Sequence, residues 1–166
     1  MKYRRLRRDE LEELEAPFVR FLAAQGIDAE TWARLKVTDE PRTETLLDQF
    51  SAMVYADVLG RAEYLEERSD TQLFVYKCGP AKVELRGLLL RGEADGLDFR
   101  TDVTPDAIVA ALQRGKARLQ VAQAERVYQP NREEDLFRLL ERGAQIAKTG
   151  ELWTLLDGLT KDGVTA

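Results

Sequence analysis

Residues 73–91, Leu-Phe-Val-Tyr-Lys-Cys-Gly-Pro-Ala-Lys-Val-Glu-Leu-Arg-Gly-Leu-Leu-Leu-Arg, decide the fold class. Residues 73–78 and 82–91 are strand-like runs rich in β-branched, aromatic and apolar side chains. Gly79-Pro80-Ala81 between them has the length and composition of a hairpin connection. Leu88, Leu89 and Leu90 are consecutive, so both faces of the second strand are expected to be covered. A hairpin of this kind calls for an antiparallel sheet with helices packed on it.

The flanking sequence supplies both. Gly92-Glu93-Ala94-Asp95-Gly96 reads as a turn into a third strand over 97–101, and Leu119, Val121 and Val127 mark a fourth. Thr104 caps a helix that has Pro105 at its first position and Ile108, Val109 and Leu112 on its apolar face. Asn131 with Glu134 repeats a capping pattern ahead of Leu136, Phe137, Leu140 and Ala144. Gly150 separates that helix from a last one carrying Leu152, Trp153, Leu155, Leu156 and Leu159.

Upstream the period is helical. Asp9 with Glu12 resembles a capping box, and Leu11, Leu14, Phe18, Phe21 and Leu22 share one face, interrupted by Pro17. Pro17 is expected either to kink this helix or to begin a second one in its first turn. Gly26 ends the segment. Asp28 then caps a short helix, with Ile27 and Trp32 at staple spacing. A longer helix starts near Pro41, and Leu47, Phe50, Val54, Val58, Arg61 and Leu65 continue a stripe to residue 68, a rod of roughly 40 Å at 1.5 Å per residue. The expected architecture is α+β: a small antiparallel sheet of about four strands against amphipathic helices. One domain is expected over residues 1–166, helical over 9–68, sheet-containing over 71–128 and helical again over 131–159.

Composition limits the chemistry. The chain of 166 residues has no histidine and one cysteine, Cys78. Ser-His-Asp and Cys-His mechanisms cannot be assembled, nor can a Cys/His zinc site or a cysteine-ligated iron–sulfur cluster. No apolar run approaches the roughly 20 residues of a membrane span, and no apolar stretch follows the basic start as a secretory signal requires. One cysteine allows no internal disulfide, which fits a cytoplasmic protein. Neither phosphate-loop pattern is present, so no nucleotide cofactor is expected.

Three groups of residues remain to be weighed. Lys2, Arg4, Arg5, Arg7 and Arg8 give residues 1–8 a charge of +5, against −10 for the rest. Such an arm is a possible anion-binding element for nucleic acid, but it also has a simpler partner in Glu10, Glu12, Glu13 and Glu15, and the acidic body argues against a nucleic-acid partner. Glu93, Asp95, Asp98, Asp102 and Asp106 are the best carboxylates for a hard cation, although their spacing lacks the EF-hand pattern and turn or helix-start roles explain them more simply. Tyr64-Leu65-Glu66-Glu67-Arg68 puts two acids at the expected end of the long helix. Cys78-Gly79-Pro80-Ala81 resembles the Cys-Gly-Pro-Cys loop of thioredoxins, but lacks the second thiol, and a strand follows where a helix would be needed. Trp32 and Trp153 sit on apolar helical faces and read as core.

Met1-Lys2-Tyr3-Arg4-Arg5-Leu6, Glu10-Leu11-Glu12-Glu13-Leu14-Glu15, Tyr64-Leu65-Glu66, Lys77-Cys78 and Asn131-Arg132-Glu133 resemble a bacterial family of similar length. It is found mainly in Bacteroidetes and their relatives and is known as a domain of unknown function. The resemblance implies a cytoplasmic bacterial protein and carries no catalytic residues with it. The sequence therefore favours a non-enzymatic binding or protein-interaction domain, its partner being another protein or a second copy met through a helical face. The alternative is a carboxylate- or divalent-cation-dependent hydrolase using Glu66, Asp95, Asp98 and Asp102. No metal site or cofactor is assigned.

Overall fold

The computed structural model describes residues 3–91, 97–101, 104–114 and 118–161. Two compact units divide at residues 60 and 61.

The first unit is helical: α1 (Arg8–Glu13), α2 (Glu15–Ala24), α3 (Ala29–Thr38) and most of α4 (Glu40–Arg61). Pro17 lies in the first turn of α2, where its missing N–H has no helical acceptor to serve. Gly26 leaves α2 with φ +73°, a left-handed conformation that favours glycine. Asp28 caps α3, its Oδ1 accepting from Thr31 N at 2.7 Å. Leu22, Ile27, Leu35 and Leu46 form the core, with Phe18, Phe21 and Trp32 packed on it. The α1 cap is not Asp9 with Glu12: Arg7 is the N-cap, and its backbone N–H donates to Glu10 Oε2 at 2.7 Å.

The long helix, 22 residues in length, stops at Arg61 and not at residue 68. Leu46, Phe50, Tyr55 and Leu59 line its buried side, while Val58 is exposed. Of the expected stripe Phe50 is fully buried, whereas Leu46, Tyr55 and Leu59 are buried beside the expected Leu47, Val54 and Val58. Tyr64-Leu65-Glu66-Glu67-Arg68 is instead a strand, held by pairing on both of its edges.

The second unit is an antiparallel sheet with helices. Its strands are β1 (Tyr64–Arg68), β2 (Gln72–Cys78), β3 (Lys82–Arg91), β4 (Arg118–Val127) and β5 (Gln145–Ile146), interleaved with α5 (Pro105–Arg114), α6 (Arg132–Glu141) and α7 (Glu151–Lys161). The order across the sheet is β4-β3-β2-β1-β5, five strands where about four were expected. The β2–β3 and β3–β4 registers run without a bulge, from Cys78↔Val83 to Gln72↔Leu89 and from Lys82↔Val127 to Arg91↔Arg118. The fold class is α+β, as the hairpin reading requires.

Alternation assigns the two faces. Leu73, Val75, Leu88, Leu90 and Leu119 pack with Ile108 and Ala111 of α5 and Leu152, Trp153 and Leu156 of α7. Val109, expected on the apolar face of α5, is exposed. The opposite face carries Phe74, Tyr76, Leu85, Leu89, Ala122 and Ala124. Gly87 lies opposite Phe74, and a Cβ there would come within 2.6 Å of the Phe74 ring.

Residues 97–101 are not a strand. Phe99, Arg100 and Thr101 form a turn in which Asp98 Oδ1 accepts from Arg100 N at 2.9 Å. Leu97 and Phe99 are buried in the core above, so their alternation reflects packing without a ladder. No helix among the described residues is long and apolar enough to cross a membrane.

Candidate functional site

One polar cleft of the second unit is built around α6. Asn131 caps this helix: its Oδ1 accepts from Glu134 N at 3.0 Å, and its Nδ2 donates to Glu134 Oε1 at 3.0 Å. Leu136, Phe137 and Leu139 are buried. That leaves Arg138 and Arg142, four residues apart, together on another side of the helix.

Asp135, in the first turn, is only 4% exposed. A carboxylate there gains from the helix dipole, and it also has direct partners. Arg126 at the end of β4 bonds both of its oxygens, with Nη2 2.7 Å from Oδ1. Gln129 N donates to Oδ2 at 3.1 Å. Burial alone would raise the Asp135 pKa, but these bonds outweigh it and hold the group below the ordinary aspartate value.

Arg142 extends the cluster. Its Nη2 donates to Glu67 Oε2 at 3.0 Å and to the Tyr76 hydroxyl at 3.2 Å, while that hydroxyl donates to the same Glu67 oxygen at 2.9 Å. Burial, reinforced by the bond to Glu67, pushes Tyr76 up to about 12, so it stays a neutral donor at physiological pH. Arg138 differs from the other two, because its Nη1 donates to the Gln129 carbonyl at 3.2 Å and no carboxylate among the described residues bonds it.

Arg126, Arg138 and Arg142, with Gln129, Asp135 and Leu139, line a cavity of about 350 Å³. Arg126 also borders an apolar groove of about 110 Å³ formed with Tyr76, Val83, Leu85 and Ala124. Asp135 and Glu67 are bonded directly by Arg126 and Arg142, whereas Arg138 acts on Asp135 only through space and bonds a backbone carbonyl. Guanidinium forks match carboxylate and phosphate oxygens two at a time. The arrangement can therefore hold an acidic group beside an apolar one.

A family model matches residues 1–161. The chain belongs to DUF6495, a family of unknown function. No curated protein and no solved structure matches this DUF6495 chain.

The residues singled out by sequence are dispersed in the DUF6495 fold. Lys2, Asp95 and Asp102, together with Glu93, lie outside the described residues. Glu66 is on β1, not at a helix end, and accepts from Arg68 Nη2 at 2.8 Å. Asp98 accepts from Arg100 Nη2 at 2.7 Å, and that contact lowers its pKa. Glu66, Arg68 and Arg100 do share a cavity of about 180 Å³ with Gly143 and Gln145. A wider, open cavity of about 860 Å³ has Glu63, Asp106 and Glu151 among its lining residues, the last two in the first turns of α5 and α7, where the helix dipoles favour them. Among the described residues, no three metal-ligating side chains converge.

Every described arginine of the N-terminal arm faces acid. Arg4 bonds both oxygens of Glu10, at 2.9 and 2.8 Å. Arg5 reaches Glu44 and, at 2.7 Å, Asp48 of α4. Arg7 lies 3.3 Å from Glu10, and Arg8 lies 3.0 Å from Glu12. Cys78 is buried, and desolvation pushes its thiol up to about 11, with Arg132 opposing only in part. A strand follows the cysteine, which removes the helix N-terminus on which a thioredoxin-type thiolate depends.

The sequence reading missed Arg126, Arg138 and Arg142. Only the four-residue spacing of Arg138 in α6 and Arg142 at its C-cap signals them. Arg126, Glu67 and Tyr76 join them through sheet topology.

Proposed function

We propose that this DUF6495 protein is a non-enzymatic binding domain of the bacterial cytoplasm that recognises an acidic segment of a partner protein in the cleft of Arg126, Arg138 and Arg142. The carrying observation is Arg138: a guanidinium in a cleft between two arginine–carboxylate clusters, hydrogen-bonded to no carboxylate among the described residues. The adjoining groove of Tyr76, Val83, Leu85 and Ala124 suits an apolar side chain next to that acid, so an acidic segment interspersed with leucine fits the two together. The bacterial, cytoplasmic setting is part of the same proposal. It rests on the resemblance of the residues quoted above and on a single cysteine kept as a buried thiol, which a reducing compartment preserves.

A carboxylate-dependent hydrolase of the glycosidase kind would need two carboxylates facing one substrate bond. Glu66 and Asp98 are each engaged by an arginine, which favours binding over hydrolysis. The pairing of Arg4, Arg5, Arg7 and Arg8 with carboxylates likewise weighs against a phosphate backbone as their partner.

Fluorescence anisotropy with a labelled peptide of alternating glutamate and leucine tests the proposal, with inorganic phosphate as competitor. Saturable binding that weakens with salt is expected, with affinity about tenfold lower in Arg138→Glu. No binding by the native protein, or equal affinity for Arg138→Glu, would overturn it. Full displacement by phosphate at equal concentration would assign the cleft to a phosphorylated ligand instead.

A further inference from the structure

The β4 edge of the sheet is long and open. Its backbone pairs with β3 over ten residues on one side, and among the described residues nothing pairs with it on the other. Gln120 and all five residues from Gln123 to Val127 are exposed, Val127 by 70%. Soluble proteins usually protect such an edge with charged side chains, proline, a bulge or a covering segment. Here there is no proline and no bulge, and the strand, Arg-Leu-Gln-Val-Ala-Gln-Ala-Glu-Arg-Val, has charges only toward its ends, leaving residues 119–124 uncharged along an unbroken register with β3.

We propose that a second copy of this chain pairs with β4, antiparallel, about a two-fold axis through Gln123 and perpendicular to the sheet. Such an axis keeps the two faces of the sheet in place, so residues can oppose one another only if they lie on the same face. Centred on Gln123, the pairing sets Leu119 against Val127, Gln120 against Arg126, Val121 against Glu125, Ala122 against Ala124, and Gln123 against itself. Nine residues of each strand take part, and no like charges meet. Centring the axis on Ala122 would put positions 118 and 126, both arginine, opposite one another, which is destabilising. The small residues at 122 and 124 let the strands approach at ordinary ladder spacing, about 4.8 Å. Two five-stranded sheets then become one of ten strands, with both arginine clefts on the same face. The inference is independent of what those clefts bind.

Light scattering after size exclusion, over a concentration series, is the test. The native chain of 18.9 kDa should run at twice that mass at high concentration. Ala122→Lys combined with Ala124→Lys places like charges opposite each other twice and should give a monomer. Ala122→Glu combined with Ala124→Lys places opposite charges there and should stay dimeric. A native protein that is monomeric throughout overturns the proposal, as does a dimer that survives both double substitutions. Should the doubly lysine-substituted chain fail to fold, single cysteines decide. With Cys78→Ser as background and oxidised glutathione as oxidant, Gln123→Cys should cross-link to itself faster than Gln120→Cys. Equal rates would refute the register.

Discussion

Arg126 and Asp135 are joined through both carboxylate oxygens, which ties the end of the edge strand β4 to the first turn of α6. Asp135 is buried, while about half of the Arg126 side chain reaches solvent. The pair is therefore asymmetric: removing the acid strands a cation that water can still reach, and leaves Gln129 N without its acceptor. We expect Asp135→Ala to cost about 2 kcal/mol, below the range for fully buried pairs. Urea denaturation would show it as a lower midpoint with unchanged slope. An unchanged midpoint would mean that the pair adds nothing to stability.

Gly87 is required by its cross-strand neighbour. A Cβ there would lie 2.6 Å from Phe74 Cδ1 and 2.8 Å from Cε1, so the ring must move. Gly87→Ala should destabilise the fold by about 1–2 kcal/mol. Phe74→Leu in the same chain should recover part of that loss, a coupling that a double-mutant cycle of thermal unfolding measures. Simple additivity would contradict the steric account.

Cys78 should be chemically silent in the folded protein. Burial holds its thiol at about 11, so little thiolate exists near pH 8 and access is restricted as well. Iodoacetamide should modify the native chain at least 100-fold more slowly than the urea-unfolded one, as mass spectrometry over time would reveal. Comparable rates would place the sulfur at the surface.

Glu10 sets an acid limit for the first unit. The Arg4 guanidinium, opposed by partial burial and aided by Arg7 N, lowers its pKa from 4.5 to about 2. A carboxylate with a depressed folded-state pKa adds stability that is complete above its unfolded value and lost as pH falls through the folded one. Between pH 4.5 and 2, the native protein should therefore lose more stability than Glu10→Gln. Parallel losses for the two proteins would remove the ion pair from the account.

What could be read from the chain alone was local. The hairpin at Gly79–Ala81 and the caps at Asp28, Thr104 and Asn131 depend on residues within a few positions of each other, and all four are present. Leu65 misled because it follows Arg61 by a helical interval, whereas β1 exists through pairing with β2 and β5. β5 is two residues long and has no period to detect. Arg5 illustrates the same limit among charges: its acidic partners, Glu44 and Asp48, lie 39 and 43 residues away. The arginine cleft joins residues 67, 76, 126, 138 and 142, a set that only the sheet order assembles.

Links of three residues join β1 to β2 and β2 to β3, so these strands close small loops and can zip together early. β5 must return to β1 from the far side of α6, and brings only Gln145 and Ile146 to the ladder. Assembly of the sheet thus begins at its centre and finishes at the β5 edge. The same order run backwards makes the β5 amides that bond β1 the first of the sheet's paired amides to exchange their protons.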